Sequence, residues 1–283
     1  MSGPGTAGSA AGTTRRAGSS GALENLARVG LIAYGVVHLL IAWLALQLAW
    51  GGNTGAPADQ SGAMATLAEQ PVGKPLLWVI AVGMIALAAW QLTEALLWRR
   101  GLSLGGEART RALKKIGKSV AKTAVYLALA VLAIRFATGG GQSSSGQQQQ
   151  ETSGVFSWPG GRWLVGIAGL VVIGVGVYLV YKGLSKRFLK EIDLAQAPPK
   201  ATALVEKLGM AGYPAKGVAL GLVGGLLVYA AVTFDPAKAT GLDGALRTVL
   251  AAPFGQLLLT LIAVGIAAFG AFCFIRARYP ERT

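Results

Sequence analysis

Pro71-Val72-Gly73, Pro159-Gly160-Gly161 and Pro253-Phe254-Gly255 each open a run of apolar residues. Each run is about twenty residues long, enough for a helix to cross a bilayer core of about 30 Å. Each proline stands 33 residues after a position in a preceding apolar run, namely His38, Tyr126 and Leu220. A helical hairpin is therefore written three times. Its two arms supply six apolar blocks, at 29–50, 74–98, 119–138, 162–182, 215–234 and 256–276. Lipid offers no partners for free backbone groups, so each block must be a helix or part of a closed barrel. The alternation of barrel strands is missing, which leaves helices.

Composition agrees. Hydrophobic residues make up 53% of the 283 residues and charged residues 13%, against roughly 25% charge in a soluble domain; the mean hydropathy is +0.53. The expected fold is an all-α integral membrane protein with six transmembrane helices. Its three hairpin repeats enter from the same side, so a pseudo-three-fold axis along the membrane normal should relate them. The repeats are placed at 22–100, 113–190 and 204–278. Residues 1–21, rich in Gly, Ser, Ala and Thr, are expected to be a disordered tail.

The net charge of +14 is unevenly spread. Of 26 Lys and Arg, only Lys74, Arg135, Arg162, Lys238 and Arg247 are assigned to the side of the hairpin tips, where Asp59, Glu69, Glu151, Asp235 and Asp243 balance them. The other 21 basic residues face 7 acidic ones on the side holding the chain ends and the loops between hairpins. This is the positive-inside bias. It predicts a multi-pass protein of a bacterial plasma membrane with both termini cytoplasmic. The same charges are expected to meet anionic lipid headgroups rather than nucleic acid.

The tip connections repeat as well. Ser61-Gly62-Ala63-Met64-Ala65-Thr66-Leu67 matches Asp243-Gly244-Ala245-Leu246-Arg247-Thr248-Val249. Each predicts a short helix capped by Ser61 or Asp243, with one apolar stripe. The middle connection, Gly139 to Gly154, carries Gln147 to Gln150 and no apolar stripe, so a flexible tether without a helix is expected there. In the third hairpin, Gly217, Gly221 and Gly225 form a small-residue face for close helix approach. Packing between hairpins and a homodimer contact both fit it. Nineteen residues after each proline comes an aromatic, Trp90, Tyr178 or Phe272, and four residues further Glu94, Lys182 or Arg276.

With its Pro-x-Gly starts and three hairpins, the chain resembles the domain of unknown function 1206 family over residues 26–278, most typically from Asp243 through Gly255. The resemblance implies bacterial membrane proteins made of three two-helix units, and it carries no catalytic or ligand residues.

Few polar residues are expected in the spans. His38, the only histidine, and Tyr126 hold equivalent positions near mid-membrane; the third equivalent, Leu220, breaks any polar ring. His38 reads either as a packing histidine or as part of a solute pathway. Glu94 reads as a partner for Lys182 or Arg276 of a neighbouring repeat, or as a cation site. Cys273, the only cysteine, allows no internal disulfide, and no Cys/His cluster suggests a metal. With neither a second histidine nor a mid-membrane carboxylate pair, no enzyme, cofactor or metal site is expected. A structural or regulatory membrane component with an unidentified partner is the first expectation. A small-solute or ion transporter with a central pathway is the alternative.

Overall fold

The computed structural model describes residues 7–51, 56–99, 103, 106–140, 144–192 and 198–279. In chain order the α-helices among them are α1 (Ala7–Trp50), α2 (Gln60–Ala68), α3 (Gly73–Trp98), α4 (Gly106–Ala137), α5 (Ser144–Phe156), α6 (Gly161–Leu184), α7 (Pro199–Thr233), α8 (Leu242–Leu250) and α9 (Gly255–Arg278). Six of these are long and apolar enough to cross a membrane: Arg28–Trp50 of α1, and the whole of α3, α4, α6, α7 and α9. The short α2, α5 and α8 cap the hairpins at what is here the tip side. The opposite, base side holds the connections from α3 to α4 and from α6 to α7. Trp163, Ile167 and Leu170 of α6 and Leu257, Leu261 and Val264 of α9 are exposed, as lipid-facing side chains would be.

Each Pro-x-Gly motif is a tight turn from a short tip helix into a spanning helix. The Gly73 N–H donates to the Gln70 carbonyl at 2.8 Å, Gly161 to Trp158 at 2.9 Å and Gly255 to Ala252 at 2.8 Å. Space explains the glycine. A Cβ on Gly73 would lie 1.6 Å from the Leu67 carbonyl oxygen, one on Gly161 1.7 Å from that of Val155, and one on Gly255 2.2 Å from that of Leu250.

The second helix of each hairpin packs most extensively on the first helix of the next: α3 on α4, α6 on α7, and α9 back on α1. This cyclic order is what three related hairpins in a ring produce. Within hairpins, α1 meets α3 and α7 meets α9, whereas α4 and α6 have almost no mutual contact. The α6–α7 interface is built on glycine. Gly169 and Gly176 on α6 face Gly224 and Gly217 on α7, and a Cβ on Gly176 would come within 2.6 Å of the Gly217 carbonyl oxygen. In lipid, such close approach is itself the source of association. Of the three glycines expected to form this face, Gly217 belongs to it and Gly221 meets it with its backbone, its N lying 2.9 Å from a Cβ on Gly176; a Cβ on Gly225 would meet nothing within 4 Å, and Gly224 stands against Gly169.

Three further expectations need correction. Residues 7–21 continue α1 instead of forming a disordered tail; extending a helix that the apolar span has already nucleated avoids the costly nucleation step. Residues 1–6 lie outside the described residues. The glutamine-rich connection does form a helix, α5. Glutamine is a good helix former, and polar and aromatic contacts replace the missing apolar stripe. Gln147 Nε2 donates to Glu151 Oε1 at 2.9 Å, Gln149 Nε2 reaches the Ala237 carbonyl at 3.3 Å, and Phe156 stacks on Phe234.

The caps are also displaced. Asp59, not Ser61, caps α2, its Oδ1 accepting from the Gly62 N–H at 2.9 Å and from Ser61 Oγ. Burial raises the Asp59 carboxyl above its ordinary range, against the pull of the Ser61 and Gly62 hydrogen bonds. Asp243 sits inside α8, where it accepts the Ala58 N–H of the first hairpin at 2.7 Å and Arg247 Nε at 2.8 Å. It ties two tip connections together. Asp243→Ala leaves the buried Ala58 N–H unpaired and should cost about 1–3 kcal/mol, read as a lower unfolding temperature in detergent. Asp243→Asn, which keeps an acceptor, should lose less.

Candidate functional site

His38 lies on α1, one turn after Tyr34. Its Nδ1 is 2.8 Å from the Tyr34 carbonyl and its Nε2 is 3.1 Å from Lys216 Nζ on α7. A carbonyl only accepts, so Nδ1 carries the proton and Nε2 accepts from the Lys216 ammonium. Lys216 also donates to the Tyr34 hydroxyl. Aromatic rings surround the ammonium: its Nζ is 4.1 Å from the Phe269 ring centre and 4.7 Å from that of Tyr34, distances at which a ring face attracts a cation. Tyr126 of α4 meets Tyr34 edge-on at 6.1 Å between centroids.

A cavity of about 180 Å³ lies against this pair and extends to the tip-side helices. His38 and Lys216 line its deep end. Gln60 of α2, Gln148 of α5, Gly241 and Leu242 line the tip end, and Ile41, Ala219, Leu220, Val223 and Ile266 form apolar walls. His38 is 12 residues from the tip end of α1 at Trp50, about 18 Å at 1.5 Å per residue. The cavity thus reaches deep into the bundle between the first and third hairpins.

His38, Tyr126 and Leu220 are legible from the sequence, whereas Lys216 falls among the base-side charges there and its place beside His38 is not. A signal was present. Positions four residues before His38, Tyr126 and Leu220 are Tyr34, Lys122 and Lys216, one turn along each first helix and on the same face. The repeat register therefore put two lysines beside the proposed mid-membrane positions. Leu220 does not interrupt the site, since the third hairpin supplies its polar group one turn earlier.

Glu94 does not pair with Lys182 or Arg276. Both cations bind Glu191, in a 3-10 turn (Arg187–Glu191) after α6. Lys182 Nζ is 2.7 Å from Glu191 Oε1, Arg276 Nη1 3.3 Å from Oε2 and Lys118 Nζ 3.5 Å from Oε1. Tyr213 OH adds a longer hydrogen bond to Oε2 at 3.4 Å. Glu94 stays half-buried on α3 and acts on Lys122 of α4 at longer range. Burial alone would push the Glu191 carboxyl up. The charges of Arg276, Lys182 and Lys118 outweigh it and hold the group at about 2.

The turn carrying Glu191 also inserts Phe188, fully buried, among Tyr213, Phe272 and Gly209. One carboxylate and one ring thereby tie α4, α6, α7 and α9 together at the base side. The sequence signal was faint: Phe188 and Ile192, both buried, are large apolar residues in a connection that otherwise reads as polar.

These features define a multi-pass membrane protein of three related hairpins, closed at one side and hollowed toward the other. The model of the Domain of Unknown Function (DUF1206) matches the chain three times, over residues 29–97, 117–186 and 211–280, and the chain belongs to that family. It is 30% identical over 261 residues to "Uncharacterized protein YxxB" of Bacillus subtilis (strain 168), an alignment covering 92% of each chain. No solved structure matches it.

Proposed function

We propose that this protein is a non-enzymatic plasma-membrane protein that admits a small solute from the outer face to a site deep in the bilayer, as the first step of transport. The observation that carries this reading is the cavity extending from the tip-side helices to His38 and Lys216. A tightly packed scaffold has no use for a lysine at the end of a cavity. Charge supports the orientation: the basic excess of the base side favours a cytoplasmic position for that side, where it would also meet anionic headgroups.

A second reading, a regulatory component that binds a solute without moving it, draws on the base-side closure. Glu191 and Phe188 hold four spanning helices together there, and transport requires that this closure open.

Water access at position 38 tests the proposal. In a Cys273→Ser background, His38→Cys is treated in intact cells with a small membrane-impermeant thiosulfonate. Glu69→Cys and Arg109→Cys serve as tip-side and base-side controls, both at exposed positions. Modification at 38 and 69 but not at 109 is expected. Protection of position 38 from both sides sinks the solute pathway and returns His38 to a packing role.

A further inference from the structure

Lys216 differs from Lys182 and Arg276, two other largely buried cations of the spanning helices. Lys182 and Arg276 share Glu191 as a counter-ion at 2.7 and 3.3 Å. Lys216 has no carboxylate within ion-pair distance among the described residues; its partners are the Tyr34 hydroxyl, the His38 imidazole and two ring faces. A lysine ammonium has three N–H donors. Two are spent on Tyr34 and His38, and Lys216 lines the cavity. An uncompensated ammonium in a low-dielectric interior is costly, and an anion arriving through the cavity offsets that cost.

The remaining walls narrow the anion. They are apolar for most of their length, from Ile41, Ala219 and Val223 to Ile266, and among the described residues no second lysine or arginine lines the cavity. A phosphate or a dicarboxylate would bring a second charge with nothing to meet it. Drug-sized ligands occupy roughly 300–1,000 Å³, well above the 180 Å³ present. At about 30 Å³ per water of liquid volume, this cavity holds the equivalent of about six waters. That space suits a ligand of a few heavy atoms.

We infer that the cavity binds a short aliphatic monocarboxylate, with its carboxylate on Lys216 Nζ and its chain along the apolar walls toward Gln60 and Gln148. The inference rests on the solute-admitting reading and names its ligand class.

The test is calorimetric titration and thermal unfolding of the purified full-length protein in nanodiscs, with butyrate, butyramide, succinate and phosphate at constant ionic strength in sodium chloride. Butyrate should bind saturably and raise the unfolding temperature. Butyramide, the same shape without the charge, should bind at least tenfold more weakly, as should succinate and phosphate. Lys216→Met, checked as monodisperse by size exclusion, should abolish butyrate binding, and Lys216→Arg should retain part of it.

Butyrate binding no tighter than butyramide, or equal in wild type and Lys216→Met, overturns the inference. So does an absence of butyrate binding to folded wild type. Tighter binding of phosphate overturns the monocarboxylate assignment. If Lys216→Met fails to fold, the comparison of butyrate with butyramide on wild type still decides. The two proposals separate cleanly: modification at position 38 without butyrate binding removes the ligand class alone. Protection at 38 with Lys216-dependent butyrate binding removes the outward pathway and keeps the ligand.

Discussion

Gly73→Ala, Gly161→Ala and Gly255→Ala should each cost about 3 kcal/mol or more, placing them in the overpacking tail of single substitutions. In thermal unfolding in detergent that is a fall on the order of 10 °C for a chain of this size. The obstacle is a carbonyl oxygen, not a side chain. It comes from the last turn of the preceding short helix: Leu67 for Gly73, Val155 for Gly161 and Leu250 for Gly255, at 1.6, 1.7 and 2.2 Å from the new Cβ. Backbone cannot swing aside as a long side chain does. Relief would require the tip helix to lift from the spanning helix and break the turn hydrogen bonds to Gln70, Trp158 and Ala252. Gly174→Ala supplies the control on the same helix as Gly161. A Cβ there meets nothing within 4 Å, so only helix propensity changes, and stability should hold or rise by up to about 1 kcal/mol. Similar losses at Gly161 and Gly174 would mean that the turn is not what the motif protects.

The contrast between those two glycines shows what was readable in the sequence. The demands of the Pro-x-Gly turn are local. Its carbonyl lies about six residues back along the same chain, so the requirement recurs wherever the hairpin does and becomes visible as a repeat. The apolar blocks are legible for the same reason, because bilayer thickness sets their length one helix at a time. The site residues answer to longer-range facts. Lys216 matters because α7 lies near α1, and Glu191 because a loop folds under α4, α6 and α9. Neither relation is encoded near the residue itself. The repeat register held a partial clue in Tyr34, Lys122 and Lys216, but it gave no ranking of the two lysines. Only Lys216 lines the cavity. Asp243 was misplaced similarly: a cap is a local inference, and this side chain is used across hairpins instead. Gln147 to Gln150 are the opposite case: they offer no apolar stripe, yet glutamine's own helix propensity favours α5.

Glu191→Gln should produce the other large effect, a loss of about 3–5 kcal/mol, because removing one partner of a buried ion cluster strands the charges it balanced. Lys182 and Arg276 are the cations at stake, with side chains 9% and 25% exposed; Lys118, at 51%, can turn to water. The pH dependence identifies the cause. The folded-state Glu191 carboxyl is held at about 2, below its ordinary value of 4.5, so folding favours its ionised form. The stability this contributes is fully present above pH 4.5 and is lost as pH falls toward 2. Asp59, raised by burial, works with the opposite sign and is unchanged in the variant. The difference between wild type and Glu191→Gln should therefore be largest near neutral pH and shrink between pH 4.5 and 2. A constant offset across that range would assign the loss to shape alone. A second substitution sharpens the test: adding Lys182→Met removes one stranded cation, so the double variant should recover part of the loss. If Lys182→Met instead adds its own full cost on top of Glu191→Gln, the carboxylate is not what holds α6 to its neighbours at the base side. The closure would then have to rest on Phe188 and the aromatic rings around it.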